Sequence, residues 1–153
     1  MKKCIILQIN YLILICLFIP CVAIAQPICQ IQRFSAYNGL AQRSVTNILQ
    51  DSKGFIWFST WNGLNKFDGY TFKNYKAFPG DGCTLTSNRL AKITQTQTCD
   101  IWCQTYDLRI YLFDSRREKF IDILRPYENE KQQTYAVQNV YTLPKGVSWI
   151  VCD

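Results

Sequence analysis

From Val45 onward, apolar positions come in short runs broken by turn residues, and within each run side chains two apart share a face. That period of two, bounded by Gly, Asn and Asp, predicts β-strands rather than helices. Val45 to Gln50 reads as a first strand. Asp51-Ser52-Lys53-Gly54 reads as a turn, with Gly54 free to take a positive φ. Phe55 to Thr60 is the next strand. Phe55 and Trp57 lie on one face of it and Ile56 and Phe58 on the other, so it is expected to be covered on both sides. Asn62-Gly63 turns the chain into a third strand, Leu64 to Phe67. Asp68-Gly69 is a hairpin signal, and Tyr70 to Lys76 is the fourth strand.

This pattern recurs. Asn47 to Thr60 aligns with Lys92 to Thr105, and Trp57, Ile48 and Thr60 each meet their counterparts Trp102, Ile93 and Thr105 after a step of 45 residues. A third copy begins at Asn139-Val140-Tyr141, and Trp149 follows Trp102 by 47 residues. A period in the mid-forties with one tryptophan per unit matches the blade of a β-propeller. The expectation is therefore an all-β chain of β-propeller blades, each a four-stranded antiparallel sheet, forming an incomplete ring of about two and a half blades. A propeller closes with about four blades or more, so the chain reads as an N-terminal fragment or a truncated reading frame. The second unit is degenerate. Gly54 aligns with Cys99, and Asn62-Gly63-Leu64 aligns with Asp107-Leu108-Arg109. Residues 26–43 read as an N-terminal strand and lead-in, 44–88 as repeat 1 and its linker, 89–135 as repeat 2 and its linker, and 136–153 as a truncated repeat 3. Phe78 to Asn88, with Pro79, Gly80 and Gly82, and the polar stretch Pro126 to Thr134 read as inter-blade loops.

The first 25 residues belong to another class. Lys2 and Lys3 precede an apolar run from Tyr11 to Ala25 that ends in Ala23-Ile24-Ala25, the three parts of a secretory signal peptide, with cleavage expected before Gln26. A spanning anchor would need a longer apolar stretch, which Gln8 and Asn10 interrupt at the front and Pro20 at the back. Pro20 before Cys21 argues against a lipoprotein site. The mature chain is therefore expected outside the cytoplasm. Loss of the two lysines lowers the formal charge from +6 to +4, with the basic residues scattered, so no nucleic-acid partner is implied.

Cys29, Cys83, Cys99, Cys103 and Cys152 remain after cleavage, an odd number, so at least one is free or pairs outside the chain. Cys99 and Cys103 on one extended strand stand about 13 Å apart, beyond the roughly 7 Å between Cα atoms that a disulfide tolerates. The chain contains no histidine and no Cys-x-x-Cys, which argues against zinc and removes any phospho-accepting histidine. No Gly-rich phosphate loop is present. Asp51 and Asp68 read as turn formers that bond backbone amides. Asp51-Ser52-Lys53-Gly54 lacks the alternating acids of a calcium loop. No metal or cofactor is expected.

Asp51, Gly54, Trp57, Gly63, Leu64, Phe67, Asp68, Gly69, Trp102, Phe113, Asp114 and Trp149 are read as structural repeat positions, with the three tryptophans in inter-blade core. Ligand sites of propellers sit at one mouth of the channel, on loops between strands. Trp61, Asn62, Tyr106 and Asp107 follow the second strand of each blade and are the candidates there, read first as turn and packing residues and second as contacts.

The stretch Gln50 to Gly69, with Asp51-Ser52-Lys53-Gly54-Phe55-Ile56-Trp57 at its heart, closely resembles the two-component regulator propeller repeat. Phe34-Ser35-Ala36-Tyr37-Asn38-Gly39-Leu40, followed by Ser44-Val45, resembles the opening of mature hybrid two-component sensors of Bacteroides-type bacteria. The resemblance covers residues 30–120 and extends more weakly over 135–153. It implies a periplasmic propeller that senses an oligosaccharide and, in a full-length relative anchored in the inner membrane, further blades and a cytoplasmic histidine kinase. It implies no catalytic part in this chain. A homodimer is a further expected partner. Two alternatives stand beside it. One is a free-standing exported scaffold that binds another protein. The other is a fragment of a propeller glycosidase or lyase, for which no pair of carboxylates stands out.

Overall fold

The computed structural model describes residues 31–78, 85–143 and 146–153. The chain divides into two units, Met1–Gln32 and Arg33–Asp153, and the description below concerns the second. The expected signal peptide, Cys29, Cys83 and the Pro79–Gly82 part of the first linker lie outside the described residues.

Two four-stranded antiparallel sheets and one two-stranded sheet follow in chain order. The first joins β1 (Val45–Gln50), β2 (Ile56–Thr60), β3 (Gly63–Phe67) and β4 (Phe72–Tyr75), each paired with the next. The second repeats this with β5 (Leu90–Gln95), β6 (Ile101–Thr105), β7 (Ile110–Asp114) and β8 (Lys119–Asp122). A helix α1 (Arg125–Lys131) leads to the third, β9 (Val137–Thr142) and β10 (Ser148–Cys152). These are blades, and among the described residues they do not close a ring.

The repeat is exact in register. Leu49 pairs with Trp57, Thr94 with Trp102, and Tyr141 with Trp149. Each inner strand carries a bulge at the same place, Val45/Asn47, Leu90/Lys92 and, on β9, opposite Val151/Cys152. A bulge bends the strand and frees a side chain. At the first, Thr46 uses that freedom to donate to the Leu90 carbonyl of the next blade at 2.8 Å.

Blade packs on blade through apolar faces. Trp57, Leu64 and Tyr75 of the first meet Leu90, Ile93, Ile101, Tyr111 and Phe113 of the second, all buried. The Trp57 ring stacks on Tyr75 at 6.0 Å and meets Phe113 edge-on at 5.7 Å. Trp102, Ile110, Leu124, Val137 and Val140 form the next layer. Trp149 departs from the expected core position: it is 62% exposed. Its backbone register is that of the other two, but no described sheet lies on its outer face.

The opposite face of β2 is half-buried rather than fully covered, with Ile48 on β1 open to solvent. The lead-in, read as a strand, forms none over residues 31–43. It makes a 3-10 turn at Ala36–Asn38 and lies across this face. Phe34 meets Phe67 and Phe72 edge-on at 4.8 and 5.5 Å. The Asn65 carboxamide accepts from the Ala41 amide at 2.7 Å, and Asn74 donates to the Gly39 carbonyl at 3.0 Å. The buried Asn65 spends its polar atoms on the lead-in, the Thr60 hydroxyl and neighbouring backbone.

The fourth strand begins at Phe72, not Tyr70, because the Asp68 carboxylate takes the Tyr70 and Thr71 amides at 2.8 and 2.7 Å. The stretch Pro126 to Thr134, read as a loop, holds most of α1. Pro126 is compatible with the first turn, and Glu128 and Lys131 sit where the helix dipole favours them. Seven residues are too few to hold a helix in water, and the ion pair of Glu128 with Arg109 fixes it to the second blade.

Candidate functional site

At one end of each blade lie the turns between its second and third strands. Their geometry is repeated. The Trp61 amide bonds the Ser44 carbonyl at 3.3 Å, and the Tyr106 amide bonds that of Arg89 at 3.0 Å. The Thr60 hydroxyl accepts from the Asn62 amide at 3.0 Å and donates to the Gly63 carbonyl at 2.9 Å, closing the first turn. Gly63 has φ +98°, and a Cβ there would stand 2.3 Å from the Tyr75 carbonyl oxygen. Its counterpart Leu108 adopts φ 59° without a glycine, and Cys99 adopts φ 67° at the place of Gly54. The degenerate second blade thus keeps both turns at the cost of backbone strain.

The structure separates the four candidate residues into two pairs. Trp61 and Tyr106 project from successive blades and meet edge-to-face, with ring centroids 6.2 Å apart and both rings about half exposed. The Arg89 guanidinium lies over the Trp61 ring, 5.6 Å from its centroid. Asn62 and Asp107 are holding residues. Asn62 donates to the Ala41 carbonyl at 3.4 Å, and the Asp107 carboxylate accepts from the Thr86 hydroxyl at 2.9 Å. Arg89 was not visible as a site residue in the sequence. Its one signal is its place immediately before β5, equivalent to Ser44 before β1.

At the other end, the carboxylates are structural. Asp51 is buried; one of its oxygens accepts from the Lys53 and Phe55 amides at 2.9 Å each, and the other from the Trp57 indole N–H at 2.8 Å. The turn role was expected; the tie to Trp57 was not. The Asp68 pair of amide bonds recurs at Asp114, which takes the Arg116 and Arg117 amides at 2.9 Å. Those amide bonds hold both carboxyls below their ordinary range, from Thr71 first at Asp68 and from Arg117 first at Asp114. Arg109 donates to Glu128 and, at 3.2 Å, to Asp122, with its side chain largely buried. The Arg109 hydrogen bond is the main reason the Glu128 carboxyl is held below its usual value.

Among the described residues no group of His, Cys, Asp and Glu is placed to hold a metal ion. Cys99, Cys103 and Cys152 are free thiols, and burial pushes Cys103 far above the usual thiol value.

Stacked four-stranded antiparallel blades with one tryptophan register per blade define the chain as a β-propeller assembly. Residues 39–62, the end of the lead-in with β1 and β2, match the family model described as "two component regulator propeller". A stretch of 53 residues, 35% of the chain, is 47% identical to histidine kinase P4 of Formosa agariphila and spans 4% of that protein. The solved extracellular domain of a protein described as a hybrid two component system, BT3049 from B. thetaiotaomicron, superposes with a TM-score of 0.64 at 28% identity, over 78% of this chain and 17% of that one. The chain therefore spans only a small part of the length of each of these two proteins. No helix among the described residues is long and apolar enough to cross a membrane.

Proposed function

We propose that this chain forms blades of a periplasmic propeller that senses an oligosaccharide for a hybrid two-component regulator, and that it performs no chemistry itself. The observation that carries the ligand class is the exposed Trp61–Tyr106 pair with Arg89 at its side, placed at equivalent turns of two successive blades. Exposed aromatic rings held rigidly by backbone turns offer flat apolar area at low entropic cost, which suits the C–H faces of pyranose rings. The guanidinium supplies donors to hydroxyl or acidic oxygens at the edge. Export, with cleavage after Ala25, belongs to the same reading and is supported by Ala23-Ile24-Ala25 behind the apolar run. The absence of histidine from the sequence supports a sensing rather than a phospho-accepting role.

The test is binding of the full chain to a panel of bacterial, plant and host oligosaccharides, followed by calorimetry on any ligand found. Trp61→Ala and Tyr106→Ala are each expected to weaken binding by about tenfold, the loss of about one stacked ring. Binding that survives both substitutions together would remove this surface as the site. A panel with no ligand would remove the glycan reading.

A further inference from the structure

Opposite the Trp61–Tyr106 end, the first and second blades enclose a cleft of about 300 Å³, within the range of small-molecule sites. Phe55, Lys66, Asp68, Thr71, Lys73 and Tyr75 of the first blade line it, and Glu118, ion-paired with Lys73, is the second blade's contribution. Its acids are already supplied with donors. Glu118 receives Lys73 Nζ on both oxygens, at 2.7 and 2.6 Å, and the Tyr75 hydroxyl at 2.9 Å. Asp68 receives the Tyr70 and Thr71 amides and, at 3.1 Å, the Thr71 hydroxyl. Lys66 differs. Its ammonium stands 3.7 Å over the Phe55 ring centroid and 5.4 Å from that of Trp57. Among the described residues it reaches no acceptor oxygen. A ring face attracts a cation but takes up none of its three N–H donors in a conventional hydrogen bond, so the half-buried Lys66 ammonium keeps them for water or a ligand.

We propose that this cleft binds a small sugar acid, with its carboxylate on Lys66 and its ring against Phe55. The ammonium calls for one anionic group. Phe55 gives an apolar floor for C–H groups. The remaining lone pairs of Asp68, Glu118 and the Thr71 hydroxyl at the rim match hydroxyl donors. The Lys73 ammonium paired with Glu118 offsets that charge toward an incoming carboxylate. The volume admits one or two sugar rings. Because both blades line it, a bound ligand joins β3 and β4 to the β7–β8 hairpin. This site is separate from the aromatic pair and stands or falls independently of the oligosaccharide reading.

The experiment is saturation-transfer NMR and calorimetry on the full chain with D-glucuronate, and with D-glucose and acetate as probes lacking the charge or the ring. D-glucuronate is expected to bind saturably and at least about tenfold tighter than either control, the worth of one charge-assisted hydrogen bond. Lys66→Gln is expected to lose about tenfold or more, Lys66→Arg to keep most of the affinity, and Lys53→Gln, which removes an equal charge outside the cleft, to leave it unchanged. Circular dichroism of each variant checks that it is folded. Equal binding of D-glucose or acetate, full binding by Lys66→Gln, an equal loss in Lys53→Gln, or no D-glucuronate binding would each overturn the proposal. Oligosaccharide binding that depends on Trp61 is expected to survive Lys66→Gln, so either site can fail without the other.

Discussion

The bond between Asp51 and the Trp57 indole can be isolated by a double-mutant cycle. Trp57 is 1% exposed, and its N–H has one partner, the Asp51 oxygen at 2.8 Å. Asp51→Ala strands that N–H in the blade interface and also releases the Lys53 and Phe55 amides, which can turn to water at the exposed turn. A hydrogen bond to a charged group contributes about 1.5–3 kcal/mol, and a stranded buried donor costs about 1–3 kcal/mol. Asp51→Ala is therefore expected to cost about 3 kcal/mol. Trp57→Phe keeps a ring against Tyr75 and Phe113 but removes the donor, for about 2 kcal/mol of lost volume and lost bond. The double variant is expected to recover about 1.5–3 kcal/mol of the sum, because each single change already breaks the shared bond. Urea unfolding followed by far-UV circular dichroism reads this without relying on the altered fluorophore. The second blade is an internal control. Thr96 stands at the place of Asp51, and Trp102 donates to Ser148 of the third blade at 3.2 Å instead, so a Thr96→Ala/Trp102→Phe cycle should show coupling near zero. Coupling below about 0.5 kcal/mol in the first cycle would falsify the assignment of Asp51 as the tether of the blade core.

Gly63→Ala should destabilise far more than Gly54→Ala in the same unfolding assay. Both take φ near +90°, but a Cβ at Gly63 meets the Tyr75 carbonyl at 2.3 Å while one at Gly54 meets nothing within 4 Å; the second should cost only about 1–2 kcal/mol, and equal losses would contradict the close approach of β4. Acid should loosen α1 early: the folded pKa of Glu128 is depressed below 4.5 by Arg109, so its contribution is whole at neutral pH, begins to fade below that value and is gone once pH falls through the lowered pKa. Glu128→Gln should flatten that acid limb in hydrogen exchange of residues 125–135, and an unchanged limb would assign it to other carboxylates. Tyr141→Ser with Trp149→Ser should reduce self-association in analytical ultracentrifugation without altering the circular dichroism spectrum, because these rings, with Val151, form an exposed apolar face; unchanged association would place the contact elsewhere.

The blades were legible in the chain alone. Short apolar runs bounded by Gly, Asn and Asp mark the strands, and the recurrence of one tryptophan at steps of 45 and 47 residues marks equivalent registers. Asp68 was legible as a turn former, and Asp114 as its counterpart in the repeat, because an Asx turn is a local event, made within three residues. What joins residues far apart in sequence was not legible. The indole bond to Asp51, the lead-in clasped by Asn65 and Asn74, and the helix fixed by Arg109 all depend on which side chains the packed sheets bring within reach. Cys99 and Leu108 hide the second blade's turns from a search for glycine, since local propensity yields where the surrounding ladder dictates the backbone. The candidate site divides in the same way. The turns that carry Trp61 and Tyr106 follow from the repeat. Their contact across two blades, the guanidinium of Arg89 over the indole, and the depth to which Trp57 but not Trp149 is buried follow from blade-to-blade packing, because burial is a property of the neighbouring sheet and not of the strand that bears the ring.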